Sequence, residues 1–547
     1  MLSKRAGIWV ATGLWCWGAI AGQADGQTPA GKTDVPAIKV TTHLVVLSVV
    51  VNDKSGKPIT KLNRENFTVL ENGARQVIDA FETPASLATA TEMADGVTTS
   101  GTGPARTVAA NVEQPRTILV LDELNTISED TMFAAKQMQR YLQAQPPVLK
   151  QPTAIYLLTK RRLESFAEST RDRDRLLARL KTNFIELPPH NLESGGAQGG
   201  ADRLVTSLMA LGEIALANAE QKGRKNVIWI GNGIPILSGA YISREDRTKF
   251  DNWVHYTANW LEETETTVYT VDPRGVEVSP ATIATGGYLL EGGIPSAIVG
   301  PDLTSSELVF EAIAPESGGA ILRHRNDIDG AIGAAVDDGG SYYTLSYYPT
   351  DRNWDGKFRR IQVKVEGVER ADGLVVRTQR GYYAYPEGFQ SESKQIDFAL
   401  SRAVTSPVPF KSVAFTASGE RIAVAAAQKN AKAQLPAARL ILAIDREGLS
   451  WAPETNGEQR AEVTLVTSQL SSSGKVLAYK VRELEVVLTK TQGPNEPVKL
   501  SVRTDVPAKT DRIRLVLRDG TSGRLGTVDL ATSSLSAANT GHRQKAN

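Results

Sequence analysis

Between residues 116 and 340 short apolar runs alternate with amphipathic stretches of helical period, and this alternation limits the fold more than any other feature. Thr266–Val271 reads as a strand, and Arg116–Leu121 and Asn226–Ile230 are too apolar to present a solvent face. Strands of that kind are covered on both sides, which calls for helices above and below a parallel sheet. Ser128 can cap a helix in which Ala134, Ala135, Met138, Tyr141 and Leu142 recur at helical spacing, and Pro146-Pro147 ends it. Further helices are predicted over Arg171–Leu180, Asp202–Ala219, Arg244–Leu261, Leu308–Ala314 and Asp327–Val336. Ala154–Thr159 and Leu163–Ala167 read as a two-strand pair, Ala320–Arg323 as a short strand, and 273–303 as a Gly/Pro-rich insertion. The expected class is doubly wound α/β, in which ligands sit at the carboxyl ends of the strands. Three points then carry weight: Asp122, Gly231–Gly233 and Asp272.

The flanks are different. Residues 37–83 read as a small N-terminal β domain, with a strand at Phe67–Leu70 and a tight turn at Asn72-Gly73 suited to positive φ. Residues 84–115 are Ala, Thr, Gly, Ser and Pro without periodicity, a flexible linker. Tyr342–Tyr348, Arg360–Val365 and Leu374–Gln379 are strands expected to complete the central domain, which then spans 116–385. Residues 386–400 read as a polar connector, and 401–535 as a C-terminal β-sandwich without helices. A length of 547 residues suits about three domains at roughly 100–200 residues each.

The N-terminus reads as an address. Lys4 and Arg5 precede the uncharged run 6–20, and small residues follow at Ala19, Ala21, Gly22 and Ala24. A basic start, a short apolar run and a small-residue exit describe a secretory signal peptide over 1–24, with cleavage favoured after Ala24 and an uncleaved anchor as the alternative. The protein is then extracytoplasmic, periplasmic or secreted, with no membrane insertion after cleavage. Cleavage removes Cys16, the one cysteine, so neither a disulfide framework nor a cysteine metal site is expected. A formal charge of +1 from 62 basic and 61 acidic residues gives no general attraction to nucleic acid.

Four stretches carry a family resemblance: Val49–Phe81, Ile118–Thr126 (Ile-Leu-Val-Leu-Asp-Glu-Leu-Asn-Thr), Val268–Gly275 (Val-Tyr-Thr-Val-Asp-Pro-Arg-Gly) and Ser317–Tyr383. In their order and spacing the chain resembles the von Willebrand factor A-related proteins of acidobacterial exported proteins. The resemblance implies a von Willebrand factor A-like central domain flanked by β-sandwich modules. It also implies the position of a metal-ion-dependent adhesion site, in which oxygen ligands from three loops hold a divalent ion and leave a position for a partner's carboxylate. Mapped onto this chain, Asp122 keeps the first acid and Thr126 stands for the second hydroxyl. Leu124 replaces the first serine, Gly199-Gly200-Ala201 lacks the threonine, and Asn232 stands where a carboxylate is expected. The metal candidates Asp122, Thr126 and Asn232 therefore form a degenerate set. No cofactor is expected, with Mg²⁺ or Ca²⁺ as the alternative.

Other chemistry is sparse. Asp351-x-Asn353-x-Asp355-Gly356 opens like a Ca²⁺ loop, but Gln362 takes the place of the bidentate Glu, and an Asp-Gly hairpin turn explains it more simply. There is no Gly-x-Ser-x-Gly elbow, Walker loop or Gly-x-Gly-x-x-Gly, and the five histidines sit at no helical metal spacing. No catalytic residue is expected. Tyrosines 342, 343, 347, 348, 382 and 383 are read as core filling ahead of a contact surface. The expected function is non-enzymatic binding of an unidentified protein partner. A metal-dependent adhesion module and a hydrolase of unfamiliar type are the alternatives.

Overall fold

The computed structural model describes residues 44–84, 115–184, 196–231, 237–238, 256–274, 307–308, 313–384, 393–422 and 436–536, less a few single positions and short loops within them. The expected signal segment 1–24, nearly all of 84–115 and 273–303, residues 244–255 of a predicted helix, and Asn232 lie outside the described residues.

Four strands open the described chain: β1 (Val45–Asn52), β2 (Phe67–Glu71), β3 (Ala74–Gln76) and β4 (Ile78–Glu82). The alternating segment begins with β5 (Arg116–Asp122), α1 (Ser128–Ala144), β6 (Val148–Leu158), β7 (Leu163–Asp172), α2 (Arg173–Phe184) and α3 (Gly196–Ala217). It continues with β8 (Lys225–Ile230), β9 (Leu237–Ser238), β10 (Thr266–Val271), β11 (Glu307–Leu308), β12 (Ile321–Leu322) and α4 (Ile328–Gly340). Residues 256–263 are also helical. Then come β13 (Tyr343–Tyr347), β14 (Phe358–Val365), β15 (Val375–Arg377), β16 (Gly381–Tyr383) and helix α5 (Ser393–Thr405). The last part holds β17 (Phe415–Ile422), β18 (Ala437–Ile444), β19 (Ala452–Pro453), β20 (Gln459–Leu470), β21 (Val476–Leu488), β22 (Val498–Asp505), β23 (Arg512–Asp519) and β24 (Leu525–Ala531).

A six-stranded sheet of order β12-β10-β8-β5-β6-β7 forms the centre. Its first five strands are parallel and β7 returns antiparallel, as the predicted strand pair requires. Alternation along β5 explains the helices on both sides. Leu119 and Leu121 pack with Met138 and Leu142 of α1, Leu176 of α2 and Ile332 of α4. Ile118 and Val120 point the other way, toward Leu208 and Leu211 of α3, Trp260, and Leu400 of α5. Each such side chain withdrawn from water contributes about 1.5–3 kcal/mol. The molecule is α/β at its centre and rich in strands on either side.

The boundaries of the flanking modules differ from the expected ones. β1 pairs with β13 and β15, and β2 pairs with β14. Segment 44–82 and segment 343–383 therefore build one β-sandwich of two four-stranded sheets, β15-β1-β13-β4 and β16-β14-β2-β3. Strands 343–383 do not extend the central sheet, because they pair with β1, β2 and β4 and their apolar faces meet those of β1 and β2. Every second side chain of a strand turns inward, and the shared core is built from Leu47, Val49, Phe67, Val69, Tyr343, Leu345, Tyr347 and Ile361. At the β2–β3 turn Asn72 and Gly73 have φ of 48° and 83°, as predicted for that hairpin.

Of the expected connector 386–400, the described residues 393–400 are helical. α5 places Leu400, Ala403 and Val404 against the central domain. Val466 of β20 and Val516 of β23 join the same apolar cluster, so α5 lies between the centre and the C-terminal β-sandwich. That sandwich has its own core, with Leu440, Leu442, Val463, Leu465, Ile513 and Leu515 from both of its sheets.

Two buried polar nodes hold the three parts together. At the first, Asp338 of α4 accepts from Tyr269 of β10 at 2.7 Å, from Asn52 of β1 at 2.8 Å and from Arg377 of β15. At the second, Glu213 of α3 accepts from Arg402 of α5 at 2.8 Å and from Ser406, whose carbonyl in turn accepts from Arg514 of β23. Removing one partner would strand a buried charge, which costs about 3–5 kcal/mol.

Candidate functional site

The carboxyl edge of the central sheet is where the sequence places its metal candidates. Asp122 ends β5 and is fully buried. Its Oδ1 accepts the Asn125 backbone N–H at 3.0 Å. Its Oδ2 accepts Asn125 Nδ2 at 2.8 Å and the indole Nε1–H of Trp229 at 2.9 Å. A carboxylate offers about four acceptor positions, and three N–H groups of the chain itself fill most of them. Burial pushes the Asp122 carboxyl up from its ordinary value, and the donors from Asn125 and Trp229 oppose that rise.

The neighbours keep this arrangement closed. Asn125 Nδ2 also donates to Ser207 Oγ of α3 at 3.0 Å, which ties the loop after β5 to that helix. Glu123 and Leu124 both donate their backbone N–H to the Leu158 carbonyl of β6, at 2.9 and 3.0 Å. Thr126 is fully buried. A Cβ on Gly231, at the end of β8, would lie 2.7 Å from Asp122 Cβ and 2.8 Å from Thr126 Oγ1. Glycine is required there by close approach.

The structure thus brings Asp122 and Thr126 together, as the resemblance implied; Asn232 lies outside the described residues. Gly199-Gly200-Ala201 falls inside helix α3 and forms no loop. Leu124 is buried and offers no oxygen from its side chain. The third acid, Asp272 after β10, is held by Arg274, with Nη2 to Oδ2 at 2.6 Å and the backbone N–H to Oδ1 at 3.0 Å. Two of the three edge acids or their replacements are thus engaged by donors of the same chain. A divalent ion at Asp122 would have to face the Trp229 and Asn125 N–H groups, so the described residues do not fit such an ion. Among the described residues no group of three or more His, Cys, Asp or Glu is placed to hold a metal.

Trp229, Asn125 and Ser207 were not singled out by the sequence. One signal was present: a buried indole N–H needs an acceptor, and β8 neighbours the strand that ends in Asp122.

The second metal candidate is also explained internally. Asp351 Oδ1 accepts the Asn353 N–H at 3.0 Å, and the carbonyls of Asp351 and Asn353 both accept from the Arg359 guanidinium. Arg359 stacks 5.1 Å over the Trp354 ring and pairs with buried Glu71 at 3.2 Å. Two carboxylates of the motif are already met by cations of the chain, Asp351 by Arg359 at 3.5 Å and Asp355 by Lys357 at 2.6 Å. This segment joins β13 to β14, which lie in different sheets, so it is a crossover and not the predicted hairpin turn. Tyr347 and Tyr382 donate to the same Glu71, at 2.8 and 3.1 Å. Of the six tyrosines, five are buried and Tyr348 is exposed, in line with core filling.

No family model matches the chain, and no curated protein matches it. Among solved structures it is similar to proximal thread matrix protein 1 from the mussel byssus, at 12% identity and a TM-score of 0.25 over 42% of this chain and 48% of that one. The chain thus covers about half the length of that protein. It is similar also to the TFIIH p34 N-terminal domain, at 12% identity and a TM-score of 0.20, covering 41% of this chain and 97% of that one. Three N-terminal domains of the type V pili tip protein Mfa5 from Porphyromonas gingivalis match at 8% identity and a TM-score of 0.22, over 91% and 98%. Likeness at these scores carries no argument about fold or function.

Proposed function

We propose that this chain is an exported, non-enzymatic interaction protein. Its central domain is von Willebrand factor A-like, with a degenerate adhesion site that takes a protein partner without a metal. The observation that carries the reading is the state of the β5 edge. The Asp122 carboxylate is engaged in bracing its own loop, and the end of that loop with the first turns of α1 presents Ile127, Met132 and Phe133 with exposures of 39, 61 and 41%. Large apolar groups held outward on a rigid edge suit contact with another protein. The sheet order, with five parallel strands and one antiparallel edge strand between two helical layers, is consistent with the A-type assignment. Export rests on Lys4, Arg5 and the apolar run that follows.

The test is capture from periplasmic extract by the immobilised mature protein, with and without EDTA. The reading expects a partner that is retained in EDTA and lost with the double substitution Met132→Lys, Phe133→Glu. Capture that needs Mg²⁺ and disappears with Asp122→Ala would favour the metal-dependent adhesion module instead.

A further inference from the structure

On the far side of the central domain, a recess of about 30 Å³ with a mouth open to solvent lies between the helical segment 256–263, the short helix Ile313–Glu316 and the β-sandwich. Ala258, Leu261, Ile313 and Phe358 give it apolar walls, and Glu262, Glu316 and Gln379 give it polar groups. Most of its polar atoms are already engaged. Glu316 accepts from Arg380 Nη1 at 2.9 Å. The Ser317 hydroxyl accepts the Val268 N–H at 2.8 Å and donates to the Ala314 carbonyl at 2.9 Å. The Thr266 hydroxyl shares a hydrogen bond of 2.7 Å with Thr264.

Two groups are left over. Among the described residues the half-buried Glu262 side chain has no hydrogen-bond or ion-pair partner. Gln379 Nε2 is buried and, among the same residues, donates to nothing. Buried polar groups are normally satisfied, and an unsatisfied one asks what it meets. With Glu316 neutralised by Arg380, the free charge of the cavity is the Glu262 carboxylate, and Glu265 nearby adds to the negative field. Burial, with Glu265, pushes the Glu262 carboxyl up to about 7. A bound cation would relieve that cost.

We infer that this cavity binds a primary alkylammonium. Its ammonium head enters the recess and meets Glu262, and its apolar stem lies across the open mouth against Leu261, Ile313 and Phe358. The same chemistry is offered by a free amine and by a lysine side chain of a polypeptide. The site is separate from the Asp122 edge, and the inference does not rest on how that edge is used.

Ligand-observed NMR and calorimetry on the mature full chain test it, with n-butylammonium chloride and Nα-acetyl-lysine methylamide as probes. At about pH 8.5 Glu262 is ionised and an alkyl ammonium is still protonated. Saturable binding of at least one probe is expected, tighter for the lysine compound if a polypeptide supplies the ligand and tighter for butylammonium if a free amine does. Glu262→Gln should weaken it about ten- to hundredfold. Ala258→Leu, which fills the cavity and keeps the carboxylate, should abolish binding and serves if Glu262→Gln does not fold. No saturable binding of either probe, or unchanged affinity in both variants, would overturn the inference.

Discussion

Asp122 and Glu262 are carboxylates of the same central domain, the first wholly and the second partly withdrawn from water, and burial raises the pKa of each. They differ in what meets them. Asp122 lies at the end of a strand whose neighbour, β8, supplies an indole N–H, and its own loop supplies the rest. Glu262 lies at the end of a helical segment, facing a recess whose one nearby cation, Arg380, is committed to Glu316 among the described residues. Position at the carboxyl edge of a parallel sheet does not by itself make a binding site. What makes one is charge left unsatisfied in a space that a ligand can enter. The edge that looked like a ligand site holds a structural acid, and the plain Leu-Glu-Glu-Thr-Glu stretch holds the free one.

The sharpest way to break this contrast is to delete Asp122. Asp122→Ala leaves the Trp229 and Asn125 donors buried without an acceptor and should cost about 3–5 kcal/mol of unfolding free energy. Denaturant melts measure it, and a loss below about 1 kcal/mol would mean the carboxylate is not a brace. Gly231→Ala probes the same packing from the other side. Its new methyl meets Asp122 and Thr126 and should cost about 1–3 kcal/mol.

Glu262 should respond with the opposite sign. Its carboxyl has an ordinary value of 4.5 and is raised to about 7 in the folded chain. A carboxyl raised in this way contributes its full stability below the unfolded value, and the contribution is lost as pH rises through the folded one. Stability of the wild type should therefore decline between about pH 4.5 and 7 by about 1–3 kcal/mol from this group, solvent screening at its half-buried position included. Glu262→Gln should remove that decline and be the more stable protein above pH 7. Melts across this range that run parallel for the two proteins would contradict the free-carboxylate account.

Much of the fold was legible. Buried strands β5 and β8 announced themselves by continuous apolar runs, and Asn72-Gly73 by the positive φ that its turn requires. The pairing of β1 with β13 was not legible, because Val45 and Tyr347 are brought together across almost the whole intervening α/β segment and no local pattern records that. Helix α5 was missed because the stretch begins among polar residues; Leu400, Ala403 and Val404 carry its helical period only in the last turns. At the site, Asp122 and Thr126 could be found from the strand end. Trp229 could not, since its role depends on β8 lying beside β5 and on which face the indole takes. Glu262 was hidden for a related reason: a glutamate in a charged helical stretch looks solvated until the β-sandwich closes over it with Phe358 and Gln379.

The smallest expected effect is the most direct test of the central claim, that the Asp122 carboxylate is committed to its own chain. Mg²⁺, Mn²⁺ and Ca²⁺ can each be titrated calorimetrically into the wild type and into Asp122→Asn. The account predicts no saturable heat in either protein with any of the three ions. Saturable binding to the wild type that is lost in Asp122→Asn would contradict it.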